Sequence, residues 1–140
     1  ENYFKEYTSI KKYMDEQINF ARENGYVQTL LGRKRWLKDI TSNNATVRSF
    51  AERNAINAPI QGSAADMIKI AMINIQKKLI PLNLKSKMIL QVHDELIFDV
   101  FKPELEIIKP IIESCMQNAL PLKVPIEVGM GVGVNWLEAH

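Results

Sequence analysis

The sequence predicts an α+β fold in which antiparallel strands are covered by helices. Two observations carry that expectation. Met88-Ile89-Leu90-Gln91-Val92 and Leu96-Ile97-Phe98-Asp99-Val100 are β-rich runs parted only by His93-Asp94-Glu95, as in a hairpin. On either side, long stretches repeat apolar residues every three or four positions, the period of helices that bury one face.

The first such stretch places Phe4, Tyr7, Ile10, Met14, Ile18 and Ala21 on one stripe. It predicts a helix over Tyr3–Glu23, stopped by Asn24-Gly25. Tyr26–Leu30 and Arg35–Leu37 flank Gly32 and predict a short hairpin around a basic turn. Asn43 or Asn44 can cap a second helix that runs to about Ile56. Pro59 lacks an N–H and clashes in a helix interior, yet it suits a first helical position. The expectation is therefore a break near Asn57–Ala58 and a third helix from Pro59 to about Leu79. Ile60, Ala64, Met67/Ile68, Ala71, Ile75 and Leu79 form its stripe, and Pro81 and Asn83 end it.

After the main hairpin, Leu105, Ile108, Ile111/Ile112 and Met116 predict a helix from Pro103 to Leu120. The last run, Pro125 to Val134, alternates Val128, Met130, Val132 and Val134 with Gly129, Gly131 and Gly133. It reads as a strand whose glycine face lets another backbone or a ligand come close. With no repeat, low-complexity run or linker, residues 1–140 are read as one unit without an internal boundary.

Composition narrows the classes of function. At 140 residues and 46% hydrophobic, the chain can bury a core of its own. A net charge of +2 with plentiful apolar residues argues against disorder. No apolar run approaches a membrane span, and no signal segment opens the chain. The one cysteine, Cys115, excludes an intrachain disulfide or a cysteine zinc site; it sits in an apolar helix as a small buried hydrophobe. Two histidines, His93 and His140, exclude a histidine-rich metal site. Trp36 and Trp136 are expected in the core or at its rim, and Ser63 as a small residue packing a helix. Because the chain begins at Glu1 inside a helical pattern, it is expected to be a piece of something longer.

Eighteen Lys and Arg nearly balance 16 Asp and Glu, but their distribution is uneven. Arg33, Lys34, Arg35 and Lys38 cluster, followed by Arg48 and Arg53, while acids concentrate over Asp94–Glu113. Such a patch suits phosphates, and it also suits a solvated turn. Two constellations carry chemistry. The acidic tip His93-Asp94-Glu95 offers carboxylate oxygens for a hard cation such as Mg²⁺; taken alone it reads sooner as a polar turn. Arg53, Asn57 and Gln61 are spaced four and four. These donor-rich side chains suit the purine N3 and pyrimidine O2 acceptors of a DNA minor groove, although a solvated helix edge has the same pattern.

Together the segments resemble the C-terminal part of a family-A DNA polymerase, the bacterial DNA polymerase I group. Four stretches match in order: Gly25-Tyr26-Val27 through Gly32-Arg33-Lys34-Arg35; Glu52-Arg53-Asn54-Ala55-Ile56-Asn57-Ala58-Pro59-Ile60-Gln61-Gly62-Ser63-Ala64-Ala65-Asp66; Gln91-Val92-His93-Asp94-Glu95; and Gly133-Val134-Asn135-Trp136 to His140. The resemblance implies an antiparallel palm-type sheet with a motif C hairpin packed by helices, carrying part of the fingers. It implies that Asp94 binds two catalytic Mg²⁺ ions with Glu95 beside it, and that His93 lies beside the primer terminus. By the same resemblance Arg53, Asn57 and Gln61 hold the primer–template duplex through its minor groove, and Arg33 and Arg35 touch nucleic-acid backbone.

The reaction so implied is template-directed nucleotidyl transfer from a dNTP to a primer 3′-hydroxyl, in the cytoplasm at the bacterial nucleoid and without a membrane. Oligomeric state is not implied. The family's motif A, with the second metal-binding aspartate, and motif B, with the cationic residues that hold the triphosphate, have no counterpart here. Both would precede Glu1, so the fragment alone is expected to be inactive. A nucleic-acid-binding module without chemistry of its own is the rival reading.

Overall fold

In a computed structural model of the chain, residues 6–139 are described. The periodic stretch near the N-terminus forms α1, Thr8–Asn24; Tyr3 and Phe4 lie outside the described residues. Gly25 ends it in the left-handed conformation (φ 78°), where glycine has no Cβ to clash, and its N–H caps the Ala21 carbonyl at 2.8 Å. β1 (Tyr26–Gln28) and β2 (Lys34–Trp36) then pair antiparallel, with Val27 opposite Arg35. Gly32, at φ 81°, turns the chain between them.

Next comes α2, Ala45–Leu79, a single helix of 35 residues. Asn44 caps it, its Oδ1 accepting the N–H groups of Thr46 and Val47 at 3.0 and 3.3 Å. The break expected at Asn57–Ala58 is absent, because the helix runs through a buried Pro59. The ring leaves the Ala55 carbonyl without its helical donor. Side chains support the backbone on either side. The Tyr13 hydroxyl, from α1, donates to the Ile56 carbonyl at 3.1 Å, and Ser63 Oγ donates to the carbonyl of Pro59 itself at 2.6 Å. Burial pushes the Tyr13 phenol up, so it remains a protonated donor across the neutral range.

The chain divides into two compact units, Glu1–Asp66 and Met67–His140, with the boundary inside α2. In the first, Ala51 and Ala55 of α2 pack with Ala21, Val27, Leu37 and Ile40, with Ile18 and Ala58 at the edge. Alanines on the helix side let α1 and the hairpin approach closely. Ile60 and Ala64, expected on a buried stripe, are exposed; Ile60 keeps 59% of its surface. They fall outside both buried stripes, because successive steps of four drift about 40° each and carry Ile60 some 80° round the helix from the buried Ile68.

The second unit uses Ile75 and Leu79 of α2 with Ile108, Ile112 and Cys115 of α3 (Leu105–Gln117), so Cys115 is buried as expected. β3 (Lys87–Val92) and β4 (Glu95–Asp99) pair antiparallel and lay Leu96 and Phe98 on this cluster. Ile89 is bulged out of the register between Met88 and Leu90. Among the described residues the strands thus form two two-stranded hairpins.

Residues 125–134 form no strand, contrary to the alternating pattern. A strand exists only with a partner ladder, and among the described residues no strand pairs with this run. Its glycines do admit backbone: a side chain at Gly131 would overlap the carbonyl of Ala139, in the terminal turn α4 (Trp136–Ala139). Trp36 and Trp136 are both exposed, so neither belongs to the core. Among the described residues no helix is long and apolar enough to cross a membrane.

Candidate nucleic-acid interface and metal-binding tip

In the first unit, continuity of α2 settles how Arg53, Asn57 and Gln61 are displayed. At roughly 100° per residue, each step of four advances about 40°, so the three span about 80° of the helix circumference. They lie on the side away from Ala51, Ala55 and Pro59, and all three are exposed. The result is one donor-rich edge, straighter than the broken helix predicted from Pro59. Beside it, an ion pair from Arg22 to Glu52 (2.6 Å) ties α1 to α2 next to Arg53.

Arg33 and Arg35 leave the β1–β2 hairpin differently. Arg35 is exposed on β2. Arg33 folds against α2: its Nε donates to Asp66 Oδ1 at 2.9 Å and its Nη2 to the Gly62 carbonyl at 3.1 Å. Asp66 is buried, 7% exposed, and its Oδ2 accepts the Thr29 hydroxyl at 2.7 Å. Thr29 Oγ1 in turn accepts the Arg33 N–H at 3.2 Å, and Ser63 Oγ accepts the Leu30 N–H at 2.9 Å. A Cβ at Gly62 would come within 2.6 Å of Thr29 Cγ2, so only glycine lets the hairpin sit this close to the helix.

Sequence reasoning assigned no role to Asp66, Thr29 or Gly62. One signal was present. An acid followed directly by Met67 and Ile68 in a helix marks a charge that burial must pair.

In the second unit, His93 and Asp94 form the two-residue turn of the β3–β4 hairpin, and Val92 faces Glu95 across its last pair. His93 takes a left-handed φ of 53°, a conformation that unbranched residues tolerate far better than β-branched ones. Its carbonyl accepts the Gln91 side-chain amide at 3.1 Å, bracing the turn from β3. Asp94 is exposed at the tip and Glu95, half-buried, opens β4. Their oxygens are the donors Mg²⁺ takes, so the tip fits part of a hard-cation site. Among the described residues no group of three or more His, Cys, Asp or Glu gathers to complete a metal shell. The tip therefore offers a partial ligand set.

Four likenesses to known proteins accompany this geometry. The sequence model of DNA polymerase family A matches residues 1–138. The DNA polymerase I of Caldicellulosiruptor bescii is 52% identical over 136 residues, 97% of this chain and 16% of the relative. That of Bacillus subtilis is 45% identical over 139 residues, again 16% of its length. Among solved structures, the polymerase domain of Pol1 from M. smegmatis, in complex with DNA primer-template and dNTP, superimposes with a TM-score of 0.95 at 45% identity. It covers 98% of this chain, which spans 24% of that one. The chain thus spans about one sixth of the length of the curated relatives it matches.

Proposed function

Because this chain belongs to DNA polymerase family A, we propose that it supplies the duplex grip and part of the metal-binding tip of a template-directed DNA polymerase, as one fragment of the palm with part of the fingers. The observation that carries the reading is the exposed edge of Arg53, Asn57 and Gln61 on an unbroken helix, opposite its buried stripe. Donors on a rigid edge can engage the acceptors that every correctly paired base pair shows in the minor groove, so the grip is independent of sequence. Arg33 and Arg35 add phosphate contacts, which hold the duplex without reading it. His93, fixed at the hairpin tip, sits beside the primer terminus.

Asp94, with Glu95 next to it, would hold two Mg²⁺ ions together with carboxylates from elsewhere in the polymerase. When bound, such a pair would stabilise the attacking and leaving oxygens of an in-line displacement. The substrates are a primer–template and a dNTP, the chain on its own does not extend a primer, and the work is done in the bacterial cytoplasm. The named partners of the M. smegmatis polymerase domain support the substrates, and the bacterial relatives support the location.

The test is primer extension by the polymerase that carries this chain, on primers whose last base pairs lack the N3 or O2 acceptors. Gln61→Ala is expected to slow extension on normal DNA while changing bulk affinity little, since phosphate contacts dominate binding. On the analogue the variant should lose no more, whereas wild type should fall to the variant's rate. Equal losses on the analogue for both proteins would remove Gln61 from the minor groove.

A further inference from the structure

Arg33 is held by protein on one side and open on the other. Arginine carries five N–H donors in a planar fork. Here Nε is spent on Asp66 and an Nη2 hydrogen on the Gly62 carbonyl, while 53% of the side chain stays exposed. Three of its five donors, two on Nη1 and one on Nη2, are not used by these two bonds. Gly62 directly follows Gln61 in sequence but lies about 100° round the helix from it, on the side where the hairpin packs.

A buried carboxylate that serves only the fold is more simply replaced by an apolar residue, because burying an ion pair returns little net stability. Asp66 is instead built into a chain. Thr29 donates to one oxygen, Arg33 to the other, and Thr29 Oγ1 also receives the Arg33 N–H. Both the backbone and the side chain of Arg33 are thereby fixed by one carboxylate–hydroxyl pair. An arginine on a mobile hairpin would lose side-chain freedom on meeting a phosphate, and this one has lost it beforehand.

We propose that Asp66, with Thr29, is a positioning pair that pre-organises the Arg33 guanidinium to bind a backbone phosphate of the primer–template. The inference rests on the polymerase reading above and names how one of its phosphate contacts is made. Asp66 does not touch the nucleic acid and acts through Arg33. The sign of its effect separates the idea from plain electrostatics. Removing a negative charge near a polyanion should strengthen binding; removing this one weakens it.

The experiment measures primer–template affinity against salt concentration for the polymerase that carries this chain. Arg33→Ala should weaken binding several-fold and lower the log–log salt slope by about 0.9, the loss of one phosphate contact. Asp66→Asn should do the same in the wild-type background and cause no further loss in the Arg33→Ala background, because its effect passes through Arg33. Arg33→Lys, which keeps the charge but not the fork, should also bind several-fold more weakly. It tests the geometry even if Asp66→Asn folds poorly.

Tighter binding by Asp66→Asn, or an equal loss in the Arg33→Ala background, overturns the positioning role. So does an Arg33→Ala effect confined to the KM for dNTP. Failure of the wild-type polymerase to bind primer–template would instead sink the reading on which the proposal stands.

Discussion

Gly62 shows how much a single hydrogen can decide. In a helix, alanine is ordinarily preferred to glycine by up to about 1 kcal/mol. Here the added methyl would meet Thr29 Cγ2 at 2.6 Å, and Thr29 cannot step aside without releasing Asp66. Overpacking of this kind costs about 1–3 kcal/mol, so Gly62→Ala is expected to lower the melting temperature despite the better helix former. Thr29→Ser removes the obstructing methyl and keeps the hydroxyl. In that background Gly62→Ala should be neutral or stabilising, and a melting temperature that falls equally in both backgrounds would contradict the packing argument. Little of this was legible beforehand. Gly62 and Asp66 stand in one run of sequence, but Thr29 and Arg33 reach them from 37 and 33 residues away. Local pattern carries no information on such a pairing.

Elements were legible where their signals are local. Asn44 caps α2, Gly25 ends α1, and the two β-rich runs pair around His93-Asp94, because each depends on neighbours in sequence. Pro59 misled for the opposite reason: part of what lets the helix pass through it is the hydroxyl of Tyr13, 43 residues before the carbonyl it meets. The run from 125 to 134 has a strand's alternation but no described partner to pair with.

The β3–β4 hairpin also has an anchor that periodicity could not reveal. Glu104 accepts the Ser86 hydroxyl at 2.6 Å and the N–H groups of Ser86 and Lys85 at 2.9 and 3.0 Å, while Ser86 Oγ accepts the Phe101 N–H. These bonds, that of the Ser86 hydroxyl foremost, hold the Glu104 carboxyl below its ordinary range. With the folded pKa depressed, the contribution is complete above the unfolded value of about 4.3 and is lost as pH falls through the folded one. Glu104→Gln should therefore melt below wild type at pH 7, with the gap closing on acidification below about pH 4. A gap that stays constant from pH 7 to pH 3 would show that the ionised carboxylate is not the anchor.

For the molecule as a whole, the family could be read from four short motifs. The division into two units inside one helix could not be, because α2 continues as a helix across it. Because the chain spans 16% of its relatives' length, the test belongs in the full-length polymerase of which it is proposed to be a part. The most direct measurement is single-nucleotide incorporation by that polymerase with Asp94→Asn, paired with primer–template affinity in the absence of dNTP. The substitution keeps size and hydrogen bonding and removes the charge a hard cation needs. Incorporation is predicted to fall by at least ~10²-fold, the scale of several kcal/mol at the transition state, with duplex affinity nearly unchanged. Near-normal incorporation by Asp94→Asn would contradict the assignment of the hairpin tip to metal binding.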